Sequence, residues 1–162
     1  MFVGARFRAG AGGAALGLPL SELRDLRVGL EELRPELAER LPGDLDPREA
    51  ARRLVEIALA APPADAAVLE AARRLDRPET RLETLAEDLG LSERQLRRRC
   101  HAAAGYGPKT LQRVLRFRRF LAVANGDLAR AALDAGYADQ SHLTRECRRL
   151  AGRPPAALLA QR

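Results

Sequence analysis

Two segments in the C-terminal half of the chain repeat one pattern, about 46 residues apart. They span residues 85–99 and 131–145, and each has an apolar stretch, a glycine, a capping residue and then a stretch that carries arginine. Gly90 and Gly136 are the glycines, and glycine ends a helix in a left-handed conformation that a side chain would penalise. This repeat predicts a fold with two copies of a helix, a tight turn and a second helix.

The second helix of each copy has a predicted start and a predicted buried side. Ser92 and Asp139 are placed to accept hydrogen bonds from the first N–H groups of these helices, as N-cap residues do. Leu96 and Leu143 are expected to point into the core, which leaves the neighbouring polar residues on the opposite side. This is the geometry by which a helix-turn-helix unit presents a helix to the major groove of DNA.

Composition and charge favour a helical protein with a polyanionic partner. Aromatic residues are 4% of the 162 residues, and the apolar residues are mostly leucine and alanine, which favour helices. Residues 80–162 contain 16 Lys and Arg against 8 Asp and Glu, whereas residues 1–79 contain 12 against 14. The positive charge therefore coincides with the repeats. Codon bias toward arginine explains why Lys109 is the only lysine, but it does not explain this segregation.

The N-terminal part is predicted to be a separate region. Residues 3–8 alternate between apolar and other residues, which predicts one short β-strand. Such a strand would pair with a second copy of the chain, pack loosely, or be the remnant of a larger domain, because a lone strand is not stable. The prolines after Ala61 predict a boundary between residues 1–62 and residues 63–162.

The predicted fold is mostly α, with tandem helix-turn-helix subdomains joined by a long linker helix and preceded by a small helical region with one short N-terminal strand. The first helix-turn-helix is expected at about residues 82–104, the linker helix at 108–124 and the second helix-turn-helix at about 128–150. Thr80 is predicted to begin a capping box before the first unit, and Asp127 is predicted to cap the first helix of the second unit.

The C-terminal region, roughly residues 64–160, resembles the DNA-binding domain of the AraC family of bacterial transcription regulators. Four stretches carry the resemblance, in order: Leu85-Ala86…Leu89-Gly90-Leu91-Ser92…Leu96, Gly105-Tyr106-Gly107-Pro108…Leu115-Arg116, Ala135-Gly136-Tyr137-Ala138-Asp139-Gln140-Ser141-His142-Leu143, and Leu150-Ala151-Gly152-Arg153-Pro154-Pro155. The resemblance implies a sequence-specific regulator that inserts two recognition helices into successive major grooves. The family commonly adds an N-terminal β-barrel sensor, for which residues 1–62 are too few, so we expect a truncated regulator or a stand-alone DNA-binding form.

The predicted DNA contacts fall into two sets. The residues assigned to base edges are Arg94, Arg97, Arg98, Gln140, Ser141, Thr144 and Arg145. The residues assigned to phosphate are Gln95, Arg99, Lys109, Arg113, Arg116 and Arg148. Arginine pairs with guanine O6 and N7 together, glutamine with adenine, and threonine contacts the thymine methyl group. For the second recognition helix, the resemblance also puts base contacts at the matching positions.

Structural roles without DNA contact also stay open for these residues. The alternative for the arginines of the first recognition helix is a solvated stripe, and the alternative for Gln140 and Ser141 is a capping role. Arg118 and Arg119, on the linker helix, are expected either to contact phosphate or to form salt bridges with acidic residues.

No enzyme site is predicted. No Cys or His cluster has the spacing of a zinc site, Ser141 and His142 lie in one helix without facing each other, and the glycines at 10–13 lack the Lys-Ser/Thr of a phosphate loop. Cys100 and Cys147 are expected to be buried thiols, and no metal or cofactor is expected.

Double-stranded DNA is the predicted partner. RNA polymerase and a second copy of the chain, paired through residues 1–62, are further candidate partners. No apolar run approaches the ~20 residues that a membrane span needs, and no signal peptide is recognisable, so we expect no membrane contact and a cytoplasmic, nucleoid-associated protein. The alternative function is a DNA-binding module without sequence preference, or an adaptor that binds protein partners.

Overall fold

The chain is helical throughout the part that the structure describes. A computed structural model describes residues 3–124 and 126–160, and these residues contain eleven α-helices and one 3-10 helix, with no β-strand. In chain order they are α1 (Gly12–Leu16), the 3-10 helix (Leu20–Glu22), α2 (Leu30–Leu33), α3 (Pro35–Ala38), α4 (Pro47–Ala60), α5 (Ala66–Leu75), α6 (Leu82–Asp88), α7 (Glu93–Ala104), α8 (Pro108–Val123), α9 (Leu128–Asp134), α10 (Gln140–Ala151) and α11 (Pro155–Leu159). The predicted mostly α fold is confirmed. Within the described ranges, none of the helices has the length and apolarity that crossing a membrane requires.

Two compact units divide the chain. Unit 1 comprises Met1–Glu70 and Ser92–Gly107, and unit 2 comprises Ala71–Leu91 and Pro108–Arg162. The helices of the first predicted helix-turn-helix are therefore in different units, with α6 in unit 2 and α7 in unit 1. By contrast, α9 and α10 lie together in unit 2. The predicted division of the chain after residue 62 stays a prediction.

The predicted N-terminal strand is wrong. Residues 3–8 have no regular secondary structure, although Val3, Ala5 and Phe7 alternate with polar residues and glycine. A strand satisfies its N–H and C=O groups by pairing with a neighbouring strand, and the described residues contain none. The alternating residues therefore have no second strand with which to form a sheet. Phe2, which directly precedes this segment, lies outside the described residues.

Three of the four predicted helix caps are confirmed. The hydroxyl of Ser92 accepts the N–H of Gln95 at 3.2 Å, and Oε1 of Gln95 accepts the N–H of Ser92 at 2.8 Å, which closes a capping box at the start of α7. Asp127 accepts two N–H groups from the first turn of α9, each at 3.0 Å. Asp139 accepts the N–H of His142 at 2.6 Å and so caps α10. These side chains replace the hydrogen bonds that the first turn of a helix cannot make internally.

The capping box that Thr80 was predicted to begin is wrong. The hydroxyl of Thr80 instead donates to the carbonyl of Arg74, at the end of the preceding helix. The following helix, α6, begins at Leu82 without a side-chain cap. A threonine between two helices can bond to either one, and here the nearby carbonyl of α5 is the partner.

One core cluster of unit 2 forms where α8, α9 and α10 pack together, with α11 against α10. Its buried residues are Phe120, Ala131, Ala132, Ala135, Tyr137, Leu143 and Cys147. Three of these seven are alanines, and small side chains allow the helices of a helix-turn-helix to cross closely. Because Leu143 and Cys147 belong to this core, the predicted inward side of α10 is confirmed. The long linker helix is confirmed as α8, which spans Pro108–Val123.

Candidate DNA-binding surfaces

The turns that precede α7 and α10 have the same backbone geometry. Gly90 has a φ of +66° and Gly136 a φ of +87°. In both turns the residue after the glycine donates its N–H to a carbonyl five residues earlier, at 2.9 Å. This pattern is the Schellman motif, in which a left-handed residue lets the last carbonyls of a helix find donors. The two sequence repeats therefore form turns with the same backbone conformation.

The helix α10 has one buried side and one exposed side. Leu143 and Cys147 are completely buried. On the other side, an open depression is lined by five side chains: Gln140, Ser141, Thr144, Arg145 and Arg148. All five were predicted DNA contacts, four to bases and one to phosphate. The structure brings them together, and their contact with DNA stays a prediction.

One residue of this depression has part of its hydrogen-bonding capacity already used. Oγ1 of Thr144 donates to the carbonyl of Gln140, one turn earlier, at 2.9 Å. The hydroxyl of Thr144 is therefore left as an acceptor, and its rotamer is restricted. The side chains of Gln140, Ser141, Arg145 and Arg148 are exposed.

An ion pair fastens α10 to the linker helix. Nε and Nη2 of Arg113, on α8, donate to the two carboxylate oxygens of Glu146 at 2.7 and 2.9 Å. The two side chains are 18% and 14% exposed. Hydrogen bonds from Arg113 lower the pKa of Glu146, so the carboxylate is charged at neutral pH. Arg113 was predicted to contact phosphate, and that contact stays a prediction. Two of its N–H groups already donate to Glu146.

Sequence reasoning did not single out Glu146. The signal was present, because Glu146 is the only acidic residue among the twelve residues of α10. An acidic residue in a DNA-recognition helix repels phosphate unless a basic side chain of the same protein neutralises it. That reasoning would have suggested a partner on a neighbouring helix.

An aromatic ring lies between α8 and α10. The guanidinium of Arg116, on α8, lies 5.6 Å from the centre of the buried Tyr137 ring. The ring of His142 meets the same tyrosine edge-on, with centroids 5.2 Å apart. Burial raises the pKa of Tyr137 well above its ordinary value, so the phenol stays neutral. The arrangement of Arg116 over the Tyr137 ring is a cation–π contact. The predicted phosphate contact of Arg116 stays a prediction.

Two further arginines of α8 form salt bridges, one of the two roles expected for them. Arg118 lies 2.8 Å from the carboxylate of Asp76. Arg119 lies 3.6 Å from the same carboxylate and donates to the carbonyl of Ala135 at 2.9 Å. Burial lowers the pKa of Arg119. Lys109, at the start of α8, is exposed.

The helix α7 also separates its apolar and basic residues. Leu96 and Cys100 are buried, as predicted. Arg94, Arg97 and Arg98, the predicted base contacts, are exposed.

Two predicted phosphate contacts of α7 have internal partners as well. Arg99 is 3.4 Å from Asp65, which also caps α5. The amide oxygen of Gln95 belongs to the capping box with Ser92. The phosphate contacts of Arg99 and Gln95 stay predictions.

The buried thiols are confirmed, since Cys100 and Cys147 are free and completely buried. Burial raises the pKa of each to about 11. In residues 3–124 and 126–160, no group of three or more His, Cys, Asp and Glu side chains is arranged to hold a metal ion.

Comparison with known protein families gives a match over the C-terminal part of the chain. Residues 85–161 match the family model described as a helix-turn-helix domain. The match begins inside α6 and takes in α7 to α11, so it covers every predicted DNA contact. Comparisons with curated proteins and with solved structures gave no match.

Proposed function

We propose that this DNA-binding transcription regulator, whose residues 85–161 are a helix-turn-helix domain of the AraC type, recognises one DNA sequence through both α7 and α10. The observation that carries the proposal is the depression on α10, in which residues suited to bases and residues suited to phosphate share one exposed side. The buried side of the same helix anchors it in the core of unit 2. Such an arrangement supports direct readout, since a recognition helix needs a fixed inner side and free outer side chains.

The chemistry of α10 suits a site of mixed base composition. Arg145 is a candidate for guanine, which offers two acceptors to a guanidinium. Gln140 suits adenine, because a carboxamide both donates and accepts. Thr144 keeps an acceptor and a methyl group, and the methyl group suits thymine. Arg148, one turn beyond Thr144, is placed for a phosphate.

The chemistry of α7 suits guanine. Arg94, Arg97 and Arg98 are its exposed arginines, at a spacing that puts them on one side of the helix. We propose that α8 is the spacer and that the two recognition helices enter successive major grooves about 34 Å apart. This requires either a bent duplex or unequal insertion of the two helices.

A matched pair of arginine variants tests the readout by α10. Arg145→Ala and Arg149→Ala remove the same charge from the same helix, but only Arg145 lines the depression. We expect Arg145→Ala to lose about 1–3 kcal/mol of discrimination at one base position. Arg149→Ala should weaken all duplexes alike or leave them unchanged. Binding to a panel of duplexes with single base-pair changes, at constant salt, measures both effects.

The corresponding test for α7 uses Arg97→Ala against Arg48→Ala. Arg48 is an exposed arginine of α4, outside the matched domain. Equal weakening of every duplex by Arg97→Ala would contradict its assignment to a base edge. A wild-type chain that binds all duplexes equally, with a steep salt dependence, would instead identify a DNA-binding module without sequence preference.

The remaining partners follow from the same proposal. A regulator of transcription acts at the nucleoid, in the cytoplasm, where RNA polymerase is a further partner. A second copy of the chain, paired through residues 1–62, would double the number of recognition helices on one operator. Sedimentation of the chain with and without duplex measures whether one or two copies bind.

A further inference from the structure

The first helix of the chain lies against the helix that is proposed to read guanine. Within unit 1, α1 and the 3-10 helix both contact α7. Gly13 of α1 is buried, and a Cβ atom at this position would lie 2.8 Å from the carbonyl oxygen of Ala102 and 3.2 Å from Cα of Ala103. Both atoms belong to the backbone of α7. The two helices therefore touch backbone to backbone, at a distance that only glycine permits.

The C-terminal end of α7 meets the same segment. The helix ends at Gly105, which has a φ of +79°. A Cβ atom there would lie 3.2 Å from the carbonyl oxygen of Leu20, at the start of the 3-10 helix. Residues 10–20 thus contact the last turn of α7 and the residue that ends it, and we call this segment the brace.

The brace is itself held in place by other parts of unit 1. The guanidinium of Arg34 donates to the carbonyl of Leu16, the last residue of α1. At the other end of the brace, a Cβ atom on Gly10 would lie 3.0 Å from the side chain of Val68, on α5. A segment with contacts at both ends resists displacement, so it can hold the helix that it touches.

We propose that the brace is a positioning element for α7, so that base discrimination by α7, but not by α10, depends on residues 10–20. This inference rests on the proposed function. The physical reason is that a guanidinium must reach two acceptors on one base, and a small displacement of the helix breaks that geometry. The brace lies outside the matched domain, which begins at residue 85. A part of the chain that contacts no DNA in this proposal would therefore determine how well half of the operator is read.

Adjacent glycines provide a matched test. Gly13→Ala places a methyl group against the backbone of α7, which must move to admit it. Gly12→Ala makes the same chemical change one residue earlier, but its Cβ atom would meet only the side chain of Leu20, at 2.9 Å. The end of a leucine side chain can rotate away. Both variants also gain the same helix propensity, which cancels in the comparison.

The first readout is binding of the full-length chain to the panel of single base-pair changes. Arg97→Ala and Arg145→Ala first define the base positions read by α7 and by α10. A specific base pair discriminates by roughly 5- to 150-fold. For Gly13→Ala we expect discrimination at the α7 positions to fall below about threefold, with the α10 positions unchanged and Gly12→Ala like the wild type. Equal loss at both sets, or no loss at the α7 positions, would overturn the proposal.

The second readout needs no DNA. Hydrogen exchange of the free chain reports local opening of each helix. Gly13→Ala should speed exchange in α7 by about tenfold or more while exchange in α10 is unchanged; unaltered exchange in α7 would overturn the brace. If Gly13→Ala does not fold, Arg34→Ala releases the last residue of α1 from its side-chain hydrogen bond and replaces Gly13→Ala in both readouts. A wild-type chain without base discrimination would refute the proposed function, whereas exchange in α7 would still decide the role of the brace.

Discussion

The ion pair between Arg113 and Glu146 should contribute far more to stability than an exposed pair of the same chemistry. It has two hydrogen bonds of 2.7 and 2.9 Å, and both side chains are less than one-fifth exposed. The chain contains a natural comparison, because Arg130 and Asp134 form a pair at 3.0 Å on α9 with side chains 70% and 43% exposed. The same chemical contact thus occurs in two very different environments.

The expected magnitudes follow from these environments. A hydrogen bond to a charged group contributes about 1.5–3 kcal/mol, and removing one partner of a buried pair leaves the other without compensation. Glu146→Ala should therefore lower the free energy of unfolding by about 2–4 kcal/mol. An exposed pair one turn apart contributes only about 0.3–0.5 kcal/mol, because water screens it. Asp134→Ala should consequently change stability by no more than about 0.5 kcal/mol.

Urea unfolding of a double-mutant cycle isolates the interaction itself. The cycle compares Arg113→Ala, Glu146→Ala and the double variant, which removes the effects of each truncation on its surroundings. We expect a coupling energy of about 1.5–3 kcal/mol for this pair, against about 0.3–0.5 kcal/mol for Arg130 and Asp134. A coupling energy below about 0.5 kcal/mol for Arg113 and Glu146 would refute the reasoning.

Three further outcomes are expected. The pKa of Glu146 is lowered in the folded chain, so its stabilisation should be present above the ordinary glutamate value of 4.5 and disappear as the pH falls through the folded pKa; a wild-type advantage over Glu146→Ala that survives at pH 2 would contradict this. Gly90 and Gly43 both have free space around them, but only Gly90 has a left-handed backbone. Gly90→Ala should therefore lower the free energy of unfolding by about 1 kcal/mol, whereas Gly43→Ala should be near neutral. With a pKa of about 11 each, Cys100 and Cys147 should not react with a thiol reagent at pH 8 until urea unfolds the chain; fast reaction in the folded state would contradict their burial.

The features that sequence reasoning predicted correctly rest on local signals. A capping residue such as Asp139 acts on N–H groups two or three positions away, and Gly136 acts on its own backbone conformation. The inward side of each recognition helix follows from the spacing of apolar residues, as Leu143 and Cys147 illustrate. Such signals are complete within one turn of helix, so the sequence alone contains them.

The features that sequence reasoning missed depend on residues far apart in the chain. Glu146 finds its partner 33 residues earlier, and no local pattern announces that pair. Thr80 is a local exception: it had the sequence of a cap, but its hydroxyl bonds to the carbonyl of Arg74, six residues earlier in α5. The glycines at 10–13 were examined as a phosphate loop, whereas Gly13 serves a close approach to α7. The strand of residues 3–8 was predicted from alternation alone, which cannot supply a second strand.

Selection of bound duplexes from a random pool, at physiological salt, tests the central claim most directly. We expect one enriched motif with two separated boxes whose centres lie about one helical turn apart, one rich in guanine and one mixed. Repeating the selection with Arg97→Ala and with Arg145→Ala should degrade one box each, and not the same one. Recovery of no motif, or of a motif that both variants degrade alike, would contradict recognition by two separate helices.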